Sequence, residues 1–192
     1  MFFIRRPAAQ WLERFLQFAE RDSFSYKELR ATLDGPLPVG YAVDHTRVCL
    51  GHGDVIFERA RRALMEWKMF DLGWVELIHP PSPVEPGQTV LILAHTWNLY
   101  SLSASRVLAM IDSDDGETQQ WGFCYGTLQD HVERGEERFT VEYHPRDSSV
   151  WYDILAFSRP QHPLARIAYP LSRAAQRRFA TDSKAAMLRI AS

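Results

Sequence analysis

The apolar positions of this chain change period along its length, and the changes mark out its elements. Near the start, Trp11, Leu12, Phe15, Leu16, Phe18 and Ala19 fall on a helical period between Pro7 and Arg21, with Glu13, Arg14, Gln17 and Glu20 facing outward. Tyr26–Leu33 reads as a second, short helical segment, and Asp34-Gly35-Pro36 closes it with turn residues. Tyr41–Leu50 reads as a strand. Gly51-His52-Gly53-Asp54 breaks it and opens a helix to about Met69, whose inward stripe is Ile56, Ala60, Ala63, Leu64, Trp67 and Phe70.

From Trp74 the period is two. It predicts strands near Trp74–Ile78, Thr89–Asn98, Ala104–Asp112, Gln119–Thr127, Glu137–His144 and Ser149–Ser158, with turn-rich links of hairpin length between them. The helical period then returns from His162 to Ala191. Leu164, Ile167, Leu171, Ala175, Phe179, Ala186, Met187 and Ile190 make one stripe, while Arg166, Arg173, Arg177, Arg178, Lys184 and Arg189 make the other. Pro170 is expected to begin this helix or kink it, because it lacks an N–H and disfavours helix at Tyr169.

A long amphipathic helix following six hairpin-linked strands must bury its stripe against the sheet they form. The fold class is therefore α+β: a seven-stranded antiparallel sheet, counting the Tyr41 strand, wrapped around a C-terminal helix. Residues 1–39 form a helical extension to the main domain of residues 40–192.

Composition changes this picture little. The 192 residues are 46% hydrophobic and 24% charged with a net charge of -2, an ordinary globular balance with no overall pull toward nucleic acid. The longest apolar runs, such as Val90–Ala94, are far shorter than a membrane span, so stable membrane insertion is not expected. The opening MFFIRRPAAQ does not follow the order of a secretory signal, which points to the cytoplasm. Cys49 and Cys124 lie far apart in strand patterns and read as buried free thiols, and no spacing of His, Cys or acids marks a metal or cofactor site.

Several short words are more specific than the pattern. Phe24-Ser25-Tyr26, Trp67-Lys68-Met69-Phe70, Gly73-Trp74-Val75, Gly122-Phe123-Cys124-Tyr125-Gly126-Thr127-Leu128, Gly135-Glu136-Glu137-Arg138-Phe139, Val150-Trp151-Tyr152 and Ala156-Phe157-Ser158-Arg159-Pro160 resemble the signature words of the domain-of-unknown-function 1990 family. The element order is similar to the helix-grip fold of the Bet v 1 and START-like superfamily. That resemblance implies a cavity between sheet and helix that holds an apolar or amphipathic small molecule. It assigns no catalytic residue.

The aromatic strands carry the first candidates for chemistry. Trp97, Trp121, Phe123, Tyr125 and Tyr152 offer apolar walls with hydroxyl or indole tips, the mix that small-molecule pockets use. His95 and Arg106 are polar residues in apolar strands. If the chain turns at Leu99–Ser103 they share a region of sheet, where Arg106 would anchor a ligand's carboxylate or phosphate. Asp153, also in an apolar strand, needs an Arg or His neighbour. His131, among Asp130, Glu133, Glu136 and Glu137 in a hairpin loop, is a candidate general base, against the plainer reading of a structured polar turn.

These residues point to a cytoplasmic domain binding an apolar or amphipathic small molecule, with His95, Trp97, Arg106, Trp121, Phe123, Tyr125 and Tyr152 around it. Two alternatives stay open. One is an enzyme on the same cavity (a cyclase, hydrolase or isomerase) using His131, Asp153 or His95. The other is an interaction module that holds a partner or a second copy through residues 1–39 and the basic helix.

Overall fold

A computed structural model describes residues 1–80, 83–161 and 169–192. In chain order it contains β1 (Phe2–Phe3), α1 (Ala9–Ala19), α2 (Ala31–Asp34), β2 (Ala42–His52), α3 (Asp54–Met65), a 3-10 turn (Lys68–Phe70), β3 (Val75–Ile78), β4 (Thr89–Thr96), β5 (Leu99–Asp114), β6 (Gln119–Thr127), β7 (Glu133–His144), β8 (Ser149–Pro160) and α4 (Tyr169–Ala191). The seven expected strands form one antiparallel path, β2-β8-β7-β6-β5-β4-β3. The added β1 pairs Phe2 with Ser101 on β5. The first part of the expected C-terminal helix, with Pro163, Leu164, Arg166 and Ile167, lies outside the described residues. Pro170 occupies the first turn of α4, where its missing N–H costs nothing.

Boundaries move where side chains outcompete propensity. The expected helix over Tyr26–Leu33 shrinks to α2. Its chain is instead tied to the sheet by Glu136, whose carboxylate accepts from the Tyr26 hydroxyl at 2.8 Å and the backbone N–H groups of Arg30 and Thr32 at 2.7 and 2.9 Å. Helix α3 stops at Met65, short of Met69, because Trp67 turns left-handed at φ 57. That turn sends its indole onto Phe123, 4.8 Å between ring centroids. The hairpin joining β4 to β5 turns at Trp97-Asn98, both with positive φ (49 and 60), not at Leu99–Ser103. Strand β5 therefore starts five residues early, at Leu99. Strand β7 begins at Glu133, four residues before Glu137.

The sheet buries both faces. On the outer face α1 lays Leu12, Phe15 and Ala19 against Leu91, Leu93, Leu102 and Ala104. The inner face carries α3 and the C-terminal half of α4, where Phe57, Leu64, Trp67, Phe123, Phe139, Tyr152 and Met187 form the main core. Register shifts at Cys49/Gly51 in β2 and Val107/Ala109 in β5 bend the sheet over these helices. This is the helix-grip arrangement: one terminal helix held in the hollow of an antiparallel sheet. No described helix is long and apolar enough to cross a membrane.

Candidate functional site

The inner face is filled at one end and hollow at the other, and side-chain size decides which. Under α3 it presents Trp121, Phe123, Phe139, Val141 and Tyr152, which close-pack. Toward the N-terminal half of α4 it presents Ala94, Ser101, Ser103, Gly135, Ala156 and Ser158, opposed by Ala175 and Ala180 on the helix. Small residues on both layers leave a cavity of about 610 Å³. Phe70, Ile92, Tyr125, Ile154 and Phe179 give it apolar walls. Trp97, Leu99 and Leu171 line it and are also 56%, 44% and 49% exposed, so its outer margin is apolar and open to water.

Polar groups enter this space from three directions. Across the sheet, Asp44, Ala156, Glu137 and Tyr125 sit in one row on β2, β8, β7 and β6. The Tyr125 hydroxyl donates to Glu137 Oε2 at 2.7 Å. Burial pushes the Glu137 carboxyl up to about 7, the Tyr125 hydrogen bond pulls it down, and the Asp44 charge raises it. Asp44 itself is held by a two-point ion pair, Arg173 Nη1 and Nη2 of α4 each lying 2.5 Å from one of its oxygens.

Glu133 stands two inward positions before Glu137 on β7, with Gly135 between them. It is 8% exposed, and among the described residues neither of its carboxyl oxygens has a well-formed hydrogen bond, the Ser172 hydroxyl of α4 lying close by but outside that geometry. Burial lifts this carboxyl to about 7 as well, against the pull of Arg173 and of the Ser172 hydroxyl close by. His131 lines the cavity beside it and accepts the Glu133 backbone N–H at Nδ1, 3.0 Å. Burial, with the charge of the Met1 amino group, lowers His131 to about 3 and keeps it neutral. On α4, Lys184 lines the wall with Nζ 2.5 Å from Thr46 Oγ1. The Gln176 amide donates to Ser158 Oγ at 2.9 Å.

The residues singled out in the sequence divide between this space and elsewhere. Trp97 and Tyr125 line the cavity. Trp121 and Phe123 belong to the packed core under α3. Tyr152 is fully buried there, its hydroxyl 2.9 Å from Ser183 Oγ of α4. Arg106 and His95 are not brought together, since register pairs Arg106 with Thr89 and His95 with Tyr100. Arg106 donates to the Ala19 and Asp22 carbonyls at 2.8 and 2.9 Å, capping the end of α1 on the outer face. The His95 ring stacks on Tyr100 at 4.3 Å. Asp153 finds both kinds of neighbour it needs, Arg138 Nη2 at 2.9 Å and His45 Nε2 at 2.6 Å.

Glu133 is buried and Glu137 half-buried on the cavity wall, although the sequence pattern puts Glu133 in a polar hairpin loop and Glu137 at its edge. A signal for them exists. Phe139 and Val141 are core residues, and counting from them by twos toward the start of β7 reaches Glu137, Gly135 and Glu133. No group of three or more His, Cys, Asp or Glu among the described residues is arranged to hold a metal ion.

Comparison with known proteins adds a family. The model of the domain of unknown function DUF1990 matches residues 25–186. A protein of Dictyostelium discoideum described as a UPF0548 protein is 34% identical over 206 residues, 98% of this chain and 95% of its own. A UPF0548 protein of Deinococcus radiodurans is 37% identical over 204 residues, covering 100% of this chain and 99% of its own. Among solved structures, that of Ara h 8.0201 superposes with a TM-score of 0.45 at 10% identity, over 78% of this chain and 99% of that one.

Proposed function

The chain belongs to the DUF1990 family, and we propose that it is a small-molecule-binding domain whose ligand, apolar or amphipathic, occupies the cavity between the sheet and α4. The observation that carries this reading is the hollow itself. An interior ordinarily packs to the density of an organic crystal, yet here small residues on facing layers hold open about 610 Å³ beside a tightly filled core. That volume lies within the roughly 300–1,000 Å³ of known ligand sites. Apolar walls of Phe70, Ile92, Ile154 and Phe179 suit a ligand's body, and Glu137 with Tyr125 offers a polar group to orient it. Trp97, Leu99 and Leu171 mark the way in.

Turnover on the same cavity is the competing role. Of its three acid–base candidates, Asp153 is committed to Arg138 and His45, and His95 is stacked on Tyr100. His131 faces the cavity, but burial lowers its pKa to about 3 and leaves it a weak base. Binding is the simpler role for such a set.

Native mass spectrometry of the protein purified from its own host tests the reading. The expected result is a bound small molecule that is released on denaturation. Protein that is empty in that measurement, and that also fails to take up a fluorescent apolar probe, would overturn it.

A further inference from the structure

Given a ligand in the cavity, its head group can be inferred as well, an inference that rests on the binding role. We propose that the ligand carries a basic nitrogen, and that its ammonium group sits over Gly135 between the carboxylates of Glu133 and Glu137. These two residues share the inner face of β7 four positions apart, roughly 13 Å along a strand. Gly135 stands midway and lines the cavity with its backbone, the Phe157 carbonyl of β8 lying where a side chain would stand. A group placed there lies roughly 6–7 Å from each glutamate Cα, a gap that an extended side chain and one hydrogen bond of ~2.8 Å can span.

The charges around the cavity leave this place negative. Asp44 is neutralised by Arg173 in a two-point ion pair, so the guanidinium that also pulls on Glu133 is already engaged. Among the described residues Glu133 has no well-formed hydrogen bond to its carboxyl although only 8% exposed, and Glu137 accepts from the Tyr125 hydroxyl alone. The other groups on the walls do not compensate. His131 is neutral, Lys184 is held by Thr46 one row away, and Arg177, which also lines the cavity, is an exposed residue whose charge water and salt screen. Tyr152, on β8, keeps its proton. A buried carboxyl without a cation gives up its charge instead, and both glutamates are pushed toward 7 by burial. An ammonium group would restore the charge and supply the missing donors at once.

The experiment uses the full chain and three probes of equal length, n-decylammonium, n-decanol and n-decanoate, with binding measured calorimetrically between pH 6 and pH 8. The ammonium is expected to bind best, about ten-fold or more tighter than the alcohol at pH 8. Its affinity should rise roughly ten-fold from pH 6 to pH 8 as a carboxyl ionises, while that of the alcohol stays level. In Glu137→Gln and in Glu133→Gln the ammonium-to-alcohol ratio should fall toward one, with thermal unfolding of the unliganded variants confirming the fold. Three probes that bind alike, decanoate that binds best, or a ratio that survives both substitutions would overturn the head-group assignment and leave the cavity reading standing. If no probe binds at all, the cavity reading fails, and this inference fails with it.

Discussion

The Tyr125 hydroxyl reaches across from β6 to donate a 2.7 Å hydrogen bond to Glu137 Oε2 on β7, inside the hollow under α4. Both residues are directly opposed in register. The bond favours the charged carboxylate and partly offsets the burial that raises Glu137 to about 7. Removing the donor with Tyr125→Phe should therefore push the Glu137 carboxyl higher still. Side-chain carbon NMR of glutamate-labelled protein through a pH titration would read it directly. An unchanged or lowered midpoint would mean that the hydroxyl does not govern this carboxyl.

The same carboxyl makes stability depend on pH in an unusual sense. Glu137 rises from an ordinary value of 4.5 to about 7 in the folded chain, so its folded form holds a proton that the unfolded form has lost. Its contribution is fully present below about pH 4.5 and is lost as pH rises toward 7. The whole effect is on the order of 2 kcal/mol, at 1.36 kcal/mol for each pH unit of difference less an allowance for water in the cavity. Glu137→Gln deletes this dependence and keeps an acceptor for Tyr125. Relative to the parent, the variant should gain on the order of 2 kcal/mol in urea unfolding at pH 8 and show little difference at pH 4.5. A gain of equal size at both pH values would show that Glu137 titrates normally.

On the opposite face, Arg106 fastens the N-terminal helix. Its guanidinium donates to the Ala19 and Asp22 carbonyls and to Thr89 Oγ1, tying the end of α1 to β4 and β5. Arg106→Met keeps much of the apolar stem and deletes these bonds. The loss should be about 1–3 kcal/mol of global stability, since the half-buried Asp22 carbonyl loses its donor while that of Ala19 keeps the Asp22 N–H. Amide exchange should quicken in Ala9–Ala19 before it does in the core strands. Uniform exchange across the sheet and α1 would place the anchoring elsewhere.

These residues also show how far the sequence can be read. The strand order and the terminal helix are legible because period two and period 3.6 survive in side chains such as Phe123, Phe139, Phe179 and Met187, whose burial is their main role. Arg106 is legible as a buried polar residue in need of partners, but the face it points to is not. That depends on where the β4–β5 hairpin turns, and two consecutive left-handed residues at Trp97-Asn98 include no glycine to announce it. Glu133 and Glu137 are hidden for a related reason. A run of charge near a glycine has the composition of a solvated turn, and only the pairing of Glu133 with Pro160 on β8 carries the strand that far. Which end of the inner face is hollow is not legible, because it depends on small residues from several elements meeting in space.

That hollow yields the most direct test of the proposed role. Ala175 and Ala180 are cavity-lining residues on α4, and each faces open volume, so a larger side chain there meets space in place of a packed neighbour. Ala175→Phe should place a ring among Phe70, Tyr125 and Phe179. Filling empty volume with apolar surface contributes about 25 cal/mol for each Å² removed from water, so the unliganded variant should unfold at the same temperature or higher. Uptake of an apolar probe should meanwhile weaken about ten-fold or more, the equivalent of ~1.4 kcal/mol. Opposite signs in the two measurements separate a blocked site from a damaged fold, since overpacking a filled core lowers stability by ~1–3 kcal/mol. Ala180→Leu repeats the test with a smaller, flexible side chain. Should both variants bind the probe as the parent does, the ligand does not lie between the sheet and α4.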